Sequence, residues 1–334
     1  MKAWIIDGGF GLENLKTVER PEPKPGHGQI VVRVRAVSIN YRDLLVTKGL
    51  YNPKMPLPRM PGSDGAGEVI AVGAGVSRVK VGDRVAAIFH QRWLSGGITE
   101  SLSKSTLGGD LDGMLAEQVV LSEDGVVAIP EHLSFAEAAT LPCAAVTAWN
   151  ALVEGGIRAG DAVLVQGTGG VSIFALQFAK MSGARVFITS SSDVKLQRAS
   201  DLGATAGVNY RTNPDWEKWA RAQTGTGVDH VVEVGGTGTL EKSIRAVRTG
   251  GHIALIGVLA GGTAMNPLPI LMKSVRLRGI FVGSRSMFEE MNRAISAHQL
   301  RPIIDRVFPF AEFPAALKHI ESAAHFGKIV VGNT

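Results

Sequence analysis

Apolar, β-branched runs recur along the whole chain, but what separates them changes near residue 130. Over the first ~125 residues, short strand-like runs are punctuated by proline and glycine, as in Pro21–Gly26 and Pro53–Gly62. The runs are Ala3–Ile6, Ile30–Val37, Glu68–Val72, Arg84–Ile88, Leu115–Leu121 and Val126–Ile129. From about Leu133, strands predicted at Val163–Gln166, Val186–Thr189, Gly207–Tyr210, His230–Val234, Ile253–Val258 and Leu277–Val282 alternate with helices. The helical stretches are Ser172–Met181, Asp193–Leu202, Pro214–Gln223, Leu240–Val247 and Pro267–Lys273. Six strands joined by five crossovers predict an α/β, doubly wound parallel sheet of Rossmann type, which ligands enter at the carboxyl ends of the strands. The tail adds a helix at Phe288–Gln299, a short strand near Val307, a helix at Ala315–Ala324 and a strand at Lys328–Val331. Between Gln91 and Gly113 a polar, glycine-rich stretch without periodicity predicts a long loop, functional or mobile.

The most informative junction is where Val163-Leu164-Val165 meets Gly167-Thr168-Gly169-Gly170 and opens, through Val171 and Ser172, into a helix. The start of such a helix offers N–H groups and the positive end of the helix dipole to a diphosphate. Gly167 and Gly169 fill the first two positions of G-x-G-x-x-G, allowing the tight turn and the close approach of backbone to pyrophosphate. Ser172 takes the third, where a small residue is needed only for helix–strand packing. The junction predicts a dinucleotide and hydride chemistry. An ordinary βα turn is the alternative.

Composition narrows the class. A chain of 334 residues, 45% hydrophobic and 19% charged, is expected to fold as two soluble domains. No apolar run approaches the ~20 residues of a membrane span, and the N-terminal MKAWIIDGG lacks a signal-peptide pattern, so a cytoplasmic protein without membrane contact is expected. With Cys143 as the single cysteine, an intramolecular disulfide and cysteine-rich zinc modules are excluded. The net charge of +5 is scattered rather than striped, which argues against a nucleic-acid partner.

Several spaced motifs resemble the medium-chain dehydrogenase/reductase superfamily of alcohol dehydrogenases and quinone reductases: Pro61–Val69 (PGSDGAGEV), Val81–Val85, Ala138–Pro142, Thr147-Ala148-Trp149, the Gly167 loop and Gly327-Lys328. The resemblance implies a β-rich, GroES-like catalytic domain over residues 1–130 and 286–334, interrupted by a Rossmann dinucleotide-binding domain over 131–285, with the active site in the cleft between. It also sets Asn40, Ser63 and Cys143 where zinc-dependent members hold their catalytic metal. One thiol, even helped by Asp64, falls short of three strong ligands, and His90 at a strand end reads as a surface or hydrogen-bonding residue, so a zinc-independent enzyme is expected.

Asn40-Tyr41-Arg42-Asp43 and Gly49-Leu50-Tyr51 resemble the zinc-free quinone and enone reductases. Asn40, Tyr41 and Tyr51 can donate hydrogen bonds to a developing oxyanion, and Arg42 can add charge. Equally, the tyrosines can be amphipathic core residues, and Arg42 and Asp43 a structural pair. By resemblance, the cofactor contacts are Thr147, Gly167, Thr168, Gly169, Gly170, Val171, Ser190, Ser191, Lys195, Tyr210, Arg211, Gly235, Ile256, Gly257, Val258, Phe281, Val282, Gly283 and Lys328. Ser190 stands where NAD-binding relatives carry an acid, and Lys195 and Arg211 follow, which favours NADP(H) over NAD(H). Ser192 can cap the helix beginning at Asp193 at the same time, while Asp193 itself argues the other way. The apolar run Leu277–Val282 as an edge strand implies a homodimer. The function expected is NADP(H)-dependent hydride transfer to a small-molecule quinone or activated C=C. The alternatives are an alcohol dehydrogenase or carbonyl reductase, and a non-catalytic NADPH- or RNA-binding protein.

Overall fold

The computed structural model describes residues 1–257 and 265–332. They form two compact units, Met1–Val146 with Val282–Thr334, and Thr147–Phe281. The chain therefore divides at 146/147 and 281/282 rather than at the expected 130/131 and 285/286. Residues 131–146 are held by the first unit: the Cys143 N–H donates to Asp64 Oδ2 at 3.1 Å, and His132 Nε2 lies 3.0 Å from the Leu300 carbonyl.

In the first unit, β1 (Lys2–Ile6) and β2 (Leu15–Glu19) form an antiparallel pair. β3 (Gln29–Ile39) leads into α1 (Tyr41–Thr47), followed by β4 (Asp64–Val72), β5 (Arg84–Ala87), α2 (Glu100–Ser103), β6 (Gln118–Ser122), β7 (Val126–Ala128) and α3 (Phe135–Ala139). The tail of the chain completes this unit. The β2 strand carries Lys16, Thr17 and Glu19 and is mostly exposed, so it lacks the apolar signal of its neighbours. The stretch Gln91–Gly113 corrects the expectation of a plain loop. It folds back on itself through Gln91 N–Ser105 O (2.9 Å) and Leu107 N–Phe89 O (3.1 Å), with Trp93, Ser105 and Leu107 buried and α2 between them. His90 is likewise buried, edge-on to Phe89 and Trp93, rather than at the surface.

The second unit takes up the chain within α4 (Val146–Leu152), from Thr147, then β8 (Ala162–Gln166), α5 (Gly170–Met181), β9 (Arg185–Ser190), α6 (Asp193–Asp201), β10 (Ala206–Asn209), α7 (Trp216–Thr224), β11 (Val228–Glu233), α8 (Thr237–Ala246), β12 (Val247–Leu255), α9 (Leu268–Met272) and β13 (Arg276–Gly279). The six strands are parallel in the order β10-β9-β8-β11-β12-β13, so the direction of winding reverses between β8 and β11. Strands covered on both faces read as continuous apolar runs, which is why Val163, Leu164 and Val165 have no polar alternation and no exposure. Phe174 and Phe178, one turn apart on α5, stack at 5.8 Å between ring centroids, and Trp149 meets Phe178 edge-on. β13 is the edge strand, shorter than the Leu277–Val282 run because pairing with β12 ends at Gly279.

The tail returns to the first unit as α10 (Arg285–Ala297), β14 (Ile304–Pro309), α11 (Phe313–Glu321) and β15 (Lys328–Gly332). β15 pairs antiparallel with β3, Ile329 opposite Ile39 and Val331 opposite Val37, in the sheet β14-β15-β3-β4-β5-β7, with β6 also on β3. That register sets Lys328 beside the end of β3, where α1 begins. Trp4 packs on Phe313 of α11, closing the core on that side. Among the described residues, no helix is long and apolar enough to cross a membrane.

Candidate active site

In the first unit, α1 starts directly from the end of β3, and its first turn is fixed by a carboxylate. Asp43 accepts from the backbone N–H of Asn40 at the helix entry (2.8 Å) and from that of Ser63 just before β4 (3.2 Å), satisfying two donors that would otherwise be buried unpaired. Burial pushes the Asp43 carboxyl up, and Arg42, 3.6 Å away, opposes that. From Asn40 a buried polar chain runs on. Lys328 Nζ donates to the Ile39 carbonyl (2.9 Å) and to Asn40 Oδ1 (2.5 Å), Asn40 Nδ2 donates to Ser63 Oγ (3.2 Å), and Ser63 Oγ donates to Asp64 Oδ1 (3.0 Å). The Cys143 N–H closes it on Asp64 Oδ2, from a π-type turn at Leu141–Ala145.

Asn40, Ser63 and Cys143 therefore do meet in space, but around an ammonium and hydrogen bonds. Asp64 is fully buried, and desolvation raises its pKa from 3.8 to about 6 against the pull of Lys328. Burial, reinforced by the nearby Asp64 charge, pushes the Cys143 thiol far up, which makes it a poor nucleophile. Among the described residues there is no group of three or more His, Cys, Asp or Glu arranged to hold a metal ion.

Arg42 points the other way from α1. Its Nη1 donates to the Leu107 carbonyl at 2.7 Å, and the guanidinium lies 4.9 Å from the centre of the Tyr51 ring and 5.1 Å from that of Phe89. Such stacking holds both rings, and Arg42 also hydrogen-bonds the Tyr51 hydroxyl oxygen. Tyr51 is 40% exposed, and burial of the remainder raises its pKa. Tyr41, also 40% exposed, opens α1. So Asn40 is a structural hub, Arg42 a platform, and Tyr51 a hydroxyl presented on that platform.

In the second unit, most of the cofactor residues expected there and described lie at the carboxyl ends of the parallel strands. Gly167 follows β8, Ser190 ends β9, Tyr210 and Arg211 follow β10, Gly235 follows β11, Ile256 and Gly257 follow β12, and Phe281 lies beyond β13. Val258 lies outside the described residues. Gly167 has φ +69°, a conformation that favours glycine, and its position faces open space. Thr168 is buried, Gly169 precedes α5 without any side chain capping the helix, and Gly170 and Val171 form its first turn. The third-glycine position works as expected of a small residue: Ser172 is buried against β8, its Oγ donating to the Gln166 carbonyl at 2.6 Å. Thr189 Oγ1 accepts from the Gly167 N–H at 3.3 Å and ties the loop to β9, a contact the sequence reading missed.

The adenosine-side residues are arranged less simply. Ser190 is buried and its Oγ accepts from the Ser192 N–H (3.3 Å), while Ser191 follows it, half-buried. Ser192 caps α6 by accepting from the Lys195 N–H at 3.4 Å. Asp193, the residue that argued against a 2′-phosphate, accepts from Asn209 Nδ2 at 2.9 Å. Thr147 is buried at the start of the unit. Val282, with φ +61°, and Gly283 belong to the first unit, as does Lys328, whose ammonium is engaged with Ile39 and Asn40 although the sequence reading grouped it with the cofactor contacts.

Sequence reasoning also missed a buried acid. Glu233, at the end of the apolar run Val231-Val232, is fully buried. Its Oε2 accepts from Gln166 Nε2 (2.7 Å) and from Ser243 Oγ, and its Oε1 from the N–H groups of Gly235 (2.8 Å) and Gly236 (3.0 Å) and from Thr239 Oγ1 (2.5 Å). An ionisable residue directly after the apolar pair Val231-Val232, at the carboxyl end of a parallel strand, was the available signal.

Two family descriptions match the chain in the order of its units: alcohol dehydrogenase GroES-like domain over residues 26–131 and zinc-binding dehydrogenase over 170–297. A zinc-type alcohol dehydrogenase-like protein of Schizosaccharomyces pombe is 46% identical, the match covering 98% of this chain and 97% of that protein. Among solved structures, an NAD-dependent alcohol dehydrogenase is 36% identical with a TM-score of 0.91, covering 100% of both chains. The quinone oxidoreductase from Coxiella burnetii is 28% identical with a TM-score of 0.82, covering 100% of this chain and 99% of that one. The chain belongs to the medium-chain dehydrogenase/reductase superfamily, as an alcohol dehydrogenase-like oxidoreductase.

Proposed function

We propose that the protein is a zinc-independent, NADP(H)-dependent reductase of quinones or of C=C bonds conjugated to a carbonyl. The observation that carries this is the Lys328–Asn40–Ser63–Asp64 chain. Two of the three positions that would face a catalytic zinc are amide and hydroxyl already joined to each other, beside a buried ammonium, which leaves Cys143 as a single thiol where three strong ligands are needed. That donor set does not suit zinc, so activation of the acceptor falls to hydrogen bonds.

The dinucleotide would be held by the Gly167–Val171 turn and the uncapped start of α5, with Ser190, Ser191, Lys195 and Arg211 toward a 2′-phosphate. When bound, the reduced nicotinamide supplies a hydride. Tyr51, stacked on Arg42, donates its hydroxyl to the acceptor's carbonyl oxygen and stabilises the enolate or hydroquinone anion that forms. A solvent proton completes the reduction. The partial exposure of Tyr51 supports this role. A second reading, reduction of a simple carbonyl, draws on Asp64, whose pKa near 6 matches a general acid for an alkoxide. Following the absorbance of NADPH or NADH with 1,4-benzoquinone, a simple enone or an aldehyde tests all of these. The proposal expects NADPH oxidation with the first two acceptors; turnover of the aldehyde alone would favour the second reading, and oxidation of NADH alone would overturn the cofactor choice. A homodimer formed through β13 is part of the same proposal, and light scattering checks it.

A further inference from the structure

Glu233 is a buried carboxylate that the hydride-transfer scheme does not use, yet four of the expected cofactor contacts are built around it. Its side chain bonds Gln166, the residue before Gly167, and the N–H groups of Gly235 and Gly236. Its main-chain carbonyl accepts from Ile256 N (2.9 Å) and Gly257 N (3.2 Å). Gln166 reinforces the arrangement, its Oε1 accepting from the Val234 and Gly235 N–H groups, each at 3.3 Å. The Glu233–Gln166 pair thus spans the ends of β11 and β8, the two strands between which the sheet reverses its winding. That reversal is where a doubly wound sheet opens its ligand crevice. The backbone there is already in contact: a Cβ on Gly257 would stand 1.6 Å from the Val234 carbonyl oxygen.

We propose that Glu233 is a positioning residue for the dinucleotide, an inference that rests on the functional reading above. Two helices start at the switch point, α5 and α8. Glu233 places a carboxylate at the entrance of α8, where its charge meets the positive end of the helix dipole and takes up the Gly235 and Gly236 N–H groups. α5 has no side-chain cap, so the diphosphate is directed to α5. Gly235, expected as a cofactor contact, has its N–H taken up by Glu233 and Gln166. In the two-halves plan of such sheets, the glycine turn after β8 and the residues ending β9 serve the adenosine half, which leaves the ends of β11 and β12 to the nicotinamide half. Glu233 shapes that second half.

The test is Glu233→Gln. Each carboxylate oxygen receives at least two donors, so replacing one by an amide NH2 sets donor against donor. Turning the Gln166 amide to compensate would face its own NH2 at Val234 and Gly235. Affinities for NADPH and for adenosine 2′,5′-bisphosphate, which carries only the adenosine half, are measured by titration calorimetry. NADPH should bind about tenfold more weakly to Glu233→Gln, with the bisphosphate within about twofold of wild type. Thr239→Val, which removes one donor and little volume, should weaken NADPH by about threefold in the same selective way and decides the matter if Glu233→Gln does not fold. Equal weakening of both ligands, or of neither, would overturn the proposal. Wild-type protein binding neither ligand would instead overturn the functional reading.

Discussion

Replacing Asp64 by Asn should make the protein more stable at neutral pH, although it removes a group at the centre of the candidate site. The folded protein raises the Asp64 pKa from 3.8 to about 6, chiefly by desolvation. Between those values the folded state holds a proton that the unfolded chain has released, so stability falls through this group as pH rises. The cost is absent below about 3.8 and complete above about 6, where it amounts to about 3 kcal/mol for a fully buried group. Asn carries no charge and keeps one acceptor for the Cys143 N–H, while its NH2 can donate to Ser63 Oγ. A gain of about 1–3 kcal/mol at neutral pH is expected, since an amide copies a protonated carboxyl imperfectly. Urea denaturation of variant and wild type across pH 4–8 (roughly the span of the shift), followed by tryptophan fluorescence, measures the difference. The two curves should converge toward the acid end. A variant less stable at neutral pH, or a difference that does not change with pH, would refute the reasoning.

Other perturbations separate the roles of neighbouring residues. Lys328→Met leaves the Ile39 carbonyl and Asn40 Oδ1 without their buried donor and removes the charge that restrains Asp64, so it should cost about 3 kcal/mol in the same denaturation assay. Tyr51→Phe should lower kcat for a quinone by about 100-fold while the Kd for NADPH stays unchanged, and an unchanged kcat would remove Tyr51 from the chemistry. Phe178→Ala empties space between Trp149 and Phe174 and should cost about 3–5 kcal/mol, read as a lower urea midpoint. His252, held down to about 4 by burial, is protonated first in the unfolded chain, so its contribution is full above about 6.5 and is lost as pH falls toward 4. His252→Asn should therefore show a smaller loss of Tm between pH 7 and pH 4 (about the same window) than wild type.

Most of the second unit was legible because its signals are local. Val163-Leu164-Val165 before a glycine turn, or Ser192 before Asp193, needs no partner from elsewhere to declare a strand, a turn or a cap. Local signal failed where two distant residues share one proton or one charge. Gln166 and Glu233 stand 67 residues apart, and Lys328 reaches Asn40 across 288. Each reads in isolation as an ordinary polar residue at the end of an apolar run. Only the pairing of β11 with β8, and of β15 with β3, gives them their roles. The same cause explains Gln91–Gly113: its order comes from Trp93, Ser105 and Leu107 packing back on the chain, which no periodicity announces.

The central claim is that hydrogen bonds, and not a bound metal, activate the acceptor. The most direct measurement is the rate of NADPH oxidation by 1,4-benzoquinone before and after exhaustive chelation, with the zinc content of each sample determined alongside. The account predicts an unchanged rate and no stoichiometric zinc in either sample. Loss of activity on chelation, restored by one equivalent of zinc per chain, would contradict it.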